Sequence, residues 1–316
     1  MTVVLGLVVG ALTVILLRLG ARGMLRAPAL SRPNYRGHNL PTGGGVLIVM
    51  TVLVIEASRA VLGAMGVGDE PGLTIQRSEV LFAVLAFGLL GLIDDLLGDG
   101  STRGFKGHVQ ALFHGEITTG FLKLFGGAAV AIVLVATPGF ATGRRLIIDA
   151  VLIALAANLG NLLDRAPGRT IKAAMIAYLP LAIVLGDGAV GVAIAPAMGA
   201  AFGLLPADLR EELMLGDAGA NVIGAVLGLG VVLGRGEVTR TTALILLVAA
   251  NVAAELVSFS GIIERVPPLR WLDRLGQRPE RRTDGSAPDL HQGEEPPFDD
   301  PPVDDPGDQG EQSDRA

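Results

Sequence analysis

Cysteine is missing from the 316-residue chain, so neither a disulfide nor thiol chemistry is available to it. Lysine is scarce, 3 residues against 22 arginines. Together with abundant alanine and glycine, this points to a GC-rich bacterial genome and says nothing about mechanism. The first apolar run lacks a basic leading region and an obvious small-residue cleavage site. The expectation is therefore a retained membrane span rather than a secretory signal peptide. No internal repeat of useful strength is visible.

What is present is apolar and gathered into runs. Hydrophobic residues make up 50% of the chain and the mean hydropathy is +0.54, too apolar for an ordinary soluble domain of this length. A helix needs about 20 mostly apolar residues to cross a bilayer. Nine stretches qualify, near 2–20, 43–66, 79–97, 121–137, 146–163, 170–186, 189–205, 218–234 and 241–262. Pro180 and Pro196 fall inside two of them, where neighbouring helices can satisfy the freed backbone groups. The expected fold is therefore all-α, a polytopic membrane helix bundle of about nine transmembrane helices. With the N-terminus outside, nineteen basic residues lie on the inner side or within a turn of it, against six outside. The positive-inside rule then places the C-terminus in the cytoplasm.

The C-terminal end has a different composition. From Asp284 to Ala316 there are eleven Asp and Glu, one Arg, many prolines and almost no large apolar residues. Such a segment cannot bury enough surface to fold. The expected organisation is a membrane domain over 1–280 and a disordered acidic, Pro-rich cytoplasmic tail over 281–316. The tail hides the balance of the body: residues 1–283 carry 24 basic and 20 acidic residues, net +4, whereas the whole chain is −6.

Four polar clusters sit at the ends of apolar stretches, all on the inner side in this orientation. They are Asp94 and Asp95 in GLIDDLLGD, Asn158, Asn161 and Asp164 in NLGNLLD, Asp217 in LMLGDAG, and Arg36 followed by PTGGG at 41–45. A carboxylate near hydrocarbon is costly, roughly 2.5–3.5 kcal/mol at the bilayer centre, so several on one face suggest a site for a cation and an anionic partner. Paired carboxylates beside a third Asp are hard oxygen ligands suited to Mg²⁺, which keeps waters and takes further ligands from substrate phosphates. Such a metal with nearby Arg and Lys is the usual equipment for displacement at phosphorus. Asn158 and Asn161 share one helix face, with Asp164 a turn further on, and glycines 43–45 let backbone approach a ligand closely. Each cluster also has a structural reading. The Asp pair can be an interfacial cap, the Asn row helix–helix hydrogen bonding, Asp217 an N-cap and PTGGG a turn. Lys123 and Arg103 can be positive-inside charges, and His108 and His114 solvated loop residues.

In this order the clusters resemble the motifs of the polyprenyl-phosphate N-acetylhexosamine-1-phosphate transferase superfamily, which includes the phospho-N-acetylmuramoyl-pentapeptide transferases of peptidoglycan synthesis. RGHNLPTGGGVLIV is similar to a basic residue followed by Thr-Pro-x-x-Gly-Gly, and GLIDDLLGD to Gly-x-x-Asp-Asp. NLGNLLDRAPG resembles Asn-x-x-Asn-Leu-x-Asp-Gly-x-Asp-Gly, and LGDAGANVIG resembles Gly-Asp-x-Gly-Ser. The likeness runs from about 30 to 280.

The resemblance implies transfer of a sugar-1-phosphate from a UDP-sugar to a polyprenyl phosphate at the cytoplasmic face, with Mg²⁺ and release of UMP, in cell-envelope glycan synthesis. It implies a multi-pass protein of the bacterial inner membrane, a homodimer and no nucleic-acid partner. Asp94 and Asp95 would be catalytic. Asp217 and Asp95 would hold metal. Arg36, Lys123, Asn158, Asn161 and Asp164 would bind substrate. The chain departs from the pattern in three places. Pro167 stands where the Asn/Asp motif has its second Asp, Ala220 stands where the Ser falls, and the stretch 261–279 has no histidine. The spans also end without a tenth. These departures motivate an alternative, a catalytically inactive relative acting as a polyprenyl-phosphate-binding or scaffold protein. A transporter would instead want its charges near span centres.

Overall fold

Thr2, Thr74 and Thr118 each open a long helix by accepting a hydrogen bond from the backbone N–H three residues on. This N-cap satisfies one of the donors that a helix start leaves unpaired. In the computed structural model, which describes residues 1–68, 72–98, 118–136 and 143–278, the apolar stretches form nine long helices among the described residues. They are α1 (Val3–Gly20), α2 (Gly44–Ala64), α3 (Ile75–Leu97), α4 (Thr119–Val135), α5 (Gly143–Leu163), α6 (Arg169–Leu185), α7 (Ala189–Leu209), α8 (Gly216–Gly234) and α9 (Glu237–Leu256). Seven are long and apolar enough to cross a membrane; α4 and α6, of 17 residues each, are shorter. The chain is a multi-pass membrane protein with a predominantly helical fold.

Two details depart from the sequence expectation. A small antiparallel hairpin, β1 (Ser31–Pro33) with β2 (Asn39–Pro41), interrupts the all-helical pattern. Its turn is set by Asn34, whose Oδ1 accepts from the N–H of Arg36 and of His38, both at 2.9 Å. The last span, expected over 241–262, instead begins at Glu237 and stops at Leu256, because Val257 is extended and Ser258 caps a new helix. Two short helices follow, α10 (Phe259–Arg265) and α11 (Pro267–Arg274). Arg103, Lys106, His108, His114 and the acidic tail 281–316 lie outside the described residues.

Helix α8 is the axis. It packs against α2, α3, α5, α6 and α7, and most of its residues are buried. Small side chains make this possible, since in lipid the close approach of backbones, rather than hydrophobic expulsion, drives helix association. The tightest approach is Gly45 of α2 against Gly219 of α8, where an added Cβ would lie 1.9 Å from the Gly219 nitrogen. Away from this axis, α1 and α9 expose rows of Val, Leu and Ile, as lipid-facing helices do. At the ends of the bundle remote from the motif clusters, buried Arg77 Nε donates to Glu56 at 2.7 Å and buried Arg240 donates to Asp149 at 2.7 Å. Arg59 also pairs with Glu56 and Arg145 with Asp149, and Arg144 lies 3.9 Å from Glu237, so five of the six basic residues assigned to the outer side have a carboxylate partner.

Candidate active site

Helices α3 and α5 end, and α2 and α8 begin, at one end of the bundle. The first turn of α8 sits at their junction because PTGGG docks onto the segment just before it. Gly44 N–H donates to Met214 O at 3.1 Å, Gly45 N–H to Leu215 O at 2.8 Å, and Met214 N–H to Pro41 O at 2.7 Å. The close backbone approach expected from these glycines is therefore made to the chain itself. Gly216, with φ 71°, lets the chain turn into α8 directly above Thr42 and Asp95.

The adjacent aspartates of α3 have different surroundings. Asp95 faces the start of α8: its Oδ1 accepts from the Asp217 N–H at 2.9 Å and from Thr42 Oγ1 at 3.3 Å, and its Oδ2 accepts from the Ala218 N–H at 3.1 Å. A carboxylate here satisfies orphan helix donors and complements the positive end of the α8 dipole. Asp94 points the other way. Its Oδ2 accepts from Lys123 Nζ of α4 at 3.3 Å, and the same ammonium donates to Asp217 Oδ2. The amide orientation of Asn161 that satisfies its neighbours accepts from Lys123 Nζ at 2.7 Å and donates to Asp217 Oδ1 at 2.5 Å. Asp94, Lys123, Asn161 and Asp217, from four helices, thus meet around one cation, and all three charged side chains keep partial exposure.

The remaining expected residues lie around this cluster in other partnerships. Asn158 donates to Asn251 Oδ1 of α9 at 2.7 Å, and Asn251 in turn donates to the Leu155 and Leu247 carbonyls. This is the helix–helix contact that the Asn row also allowed. Arg36 sits on the hairpin, paired with Glu211 at 3.2 Å and stacked over the Tyr35 ring. Asp164 lies in the loop after α5 and accepts from Thr170 Oγ1 at 3.3 Å. Burial there, with the negative charges of Asp208 and Asp217 adding to it, pushes the Asp164 carboxyl well above the usual carboxylate range.

Two recesses adjoin the cluster. A cleft of about 560 Å³ is lined by Asp164, Pro167, Asp208, Glu211, Met214 and the hairpin residues Asn34 and Tyr35. An apolar groove of about 320 Å³ runs between α5, α6, α8 and α9, from Gly160 and Thr170 to Leu181 and Val231. Thr170 joins the two, touching Asp164 on one side and the groove on the other. Sequence reasoning did not single out Thr42, Asp208 or Glu211. Thr42 lay inside a quoted motif, while Asp208 and Glu211 carry no pattern that marks them.

Among the described residues no three His, Cys, Asp or Glu side chains converge on a metal position. Magnesium does not require that: one or two carboxylates, waters and substrate phosphates form its usual shell. Asp94 and Asp217, with the Asn161 carbonyl, are a hard-oxygen donor set already gathered around a cation, the Lys123 ammonium. The residues present fit such an ion.

No family model matches the chain. The chain is 26% identical over 264 residues to the phospho-N-acetylmuramoyl-pentapeptide-transferase of Borreliella burgdorferi (strain ZS7), covering 74% of this chain and 72% of the relative. The protein of the same name from Borreliella afzelii (strain PKo) gives the same identity and coverage. That of Oceanobacillus iheyensis is 28% identical over 212 residues, 59% of each chain.

Proposed function

Because the chain is a divergent member of the polyprenyl-phosphate N-acetylhexosamine-1-phosphate transferase superfamily, we propose that it transfers a sugar-1-phosphate from a UDP-sugar to a polyprenyl phosphate. One observation carries the reading: Asp94 and Asp217, far apart in sequence, share the Lys123 ammonium at one end of the bundle. In the proposed reaction a lipid-phosphate oxygen attacks the β-phosphorus of the UDP-sugar. The new P–O bond forms as the bond to the α-phosphate breaks, and UMP leaves.

The residues divide this work. Asp94 and Asp217 would hold Mg²⁺, which would supply neutralisation of the phosphate charge and polarisation of the phosphoryl oxygens. Lys123 moves from its carboxylate partners to a substrate phosphate, and Asn161 orients Asp217. Asp95 holds the first turn of α8 in register, so that Asp217 presents its carboxylate to the site. The apolar groove takes the proximal part of the polyprenyl tail, because its lining is almost wholly apolar and it reaches Thr170. The cleft carrying Asp164 takes the nucleotide end. This face is assigned to the cytoplasm of a bacterial inner membrane by the excess of basic residues on its side.

The test is UMP release by the purified protein with Mg²⁺, undecaprenyl phosphate and a panel of UDP-N-acetylhexosamines. Release is expected, with loss in Asp94→Asn and Asp217→Asn. Pro167, in place of an acidic residue on the cleft wall, favours one second reading, a non-catalytic lipid-binding relative. No release with any of the UDP-sugars, together with retained polyprenyl-phosphate binding, would select it.

A further inference from the structure

Helix α11 docks through a buried carboxylate and leaves large apolar side chains outward. At about 100° per residue, Asp273 lies between Leu269 and Arg270, and Trp271 lies on the opposite side of the helix, toward Arg274. An amphipathic helix ordinarily turns its apolar side to the protein. Here the docked residues are Asp273 and, in part, Leu272, while Arg270 and Arg274 stay exposed. Asp273, 8% exposed, receives a two-pronged bond from buried Arg169, with Nε to Oδ1 at 2.7 Å and Nη2 to Oδ2 at 3.0 Å. Lys172 Nζ closes the last turn by donating to the Leu272, Asp273 and Leu275 carbonyls. Large apolar side chains face outward, with Trp271 66%, Leu275 50% and Leu269 43% exposed.

We propose that this face lies in the headgroup region of the leaflet at the carboxylate end of the bundle. Trp271, Leu269 and Leu275 insert among the upper acyl chains, and Arg265 and Arg270 meet anionic lipid phosphates. Three observations select a lipid surface over other covers. The segment follows directly from α9, whose Ile245, Leu246, Val252 and Leu256 are outward-facing, and the exposed row continues through Val257, Ile262 and Val266. A Trp flanked by aliphatic and Arg residues is the composition of a helix at the membrane–water boundary. The chain's own acidic end, from Asp284 on, has almost no large apolar residues to cover such a face. Arg169 and Lys172 tie the seated helix to the start of α6, and Gln277 Nε2 donates to Pro167 O at 3.1 Å. The membrane contact therefore braces the loop that carries Asp164.

Trp271 is the only tryptophan in the chain, so fluorescence of the full-length protein excited at the red edge, where its two tyrosines do not absorb, reports this face alone. In nanodiscs of phosphatidylcholine with increasing phosphatidylglycerol, the expected emission is blue-shifted. It should lose intensity with lipids brominated high on the acyl chain and resist aqueous acrylamide. Arg265→Glu with Arg270→Glu should weaken the lipid quenching and raise the acrylamide quenching. Free access for acrylamide with no effect of brominated lipid overturns the proposal. Shielding from both quenchers also overturns it, because it means a protein cover. Repeating that measurement on the chain ended after Arg278 then separates a second copy from the acidic end.

Discussion

The two aspartates of GLIDDLLGD should fail in opposite ways when each is replaced by asparagine. In Asp95→Asn one carboxylate oxygen becomes an NH₂ group facing the Asp217 or Ala218 N–H, both of which now donate to Asp95 at 2.9 and 3.1 Å. Leaving one such donor unsatisfied costs about 1–3 kcal/mol. Losing the negative charge at the helix start adds about 0.3–1 kcal/mol. Relief from desolvating a half-buried carboxylate offsets part of this, which leaves a loss of roughly 1–3 kcal/mol. For a chain of this size that is a fall of several degrees in the apparent melting temperature, at about 2–4 °C per kcal/mol. Asp94→Asn removes only a partly exposed ion pair to Lys123, which retains Asp217 and Asn161. Its stability should stay within about 1 kcal/mol of the parent, while UMP release disappears. The assay is melting in detergent at a fixed scan rate, with UMP release measured on the same preparations. Equal melting temperatures for Asp95→Asn and the parent, or an equal fall for both variants, would refute the division of labour between the pair.

Three further outcomes follow from the same geometry. Lys123→Met leaves the Asp94 and Asp217 carboxylates without their ammonium, so Mg²⁺ should raise its melting temperature more than it raises that of the parent; binding at one hundred times Kd is worth about 2.7 kcal/mol. Absence of any Mg²⁺ shift in either protein would remove the metal from the site. Asn158→Ala breaks the contact with Asn251 and should cost about 0.6–2 kcal/mol of stability with turnover kept, whereas Asn161→Ala should lower turnover by about 10–100-fold; kinetics and melting on both variants check this. For Asp164 the folded state raises the carboxyl pKa, so folding favours the protonated form, and that contribution is lost as pH rises through the folded value. Asp164→Asn should therefore melt higher than the parent above that pH and match it in acid, and a gap that widens on acidification would contradict the sign.

Much of the carboxylate cluster was legible because the motifs are short and local. Asp94, Asp95, Asn161 and Asp217 lie at the ends of apolar stretches, and the expense of a carboxylate near hydrocarbon marks them without any contact map. Three-dimensional contacts were not legible in the same way. Asn158 and Asn161 share a helix face and a motif, yet one turns toward α9 and the other toward α4. Asp94 and Asp95 are neighbours, yet successive helical residues point about 100° apart, so one reaches the start of α8 and the other reaches Lys123. The helices beyond residue 262 carried no such signal, because charged and proline residues there break the apolar run that marks a span.

By itself the sequence determined the class of molecule, the nine apolar segments and the end of the bundle on which the carboxylate motifs gather. Those properties follow from hydropathy, residue spacing and the cost of burying charge, all of which are local sums along the chain. Only the tertiary structure decided which side chains share a cation, which merely hold helices together, and which face of α11 remains outward. Those depend on how closely backbones approach, and that is set by glycines from distant segments meeting along α8.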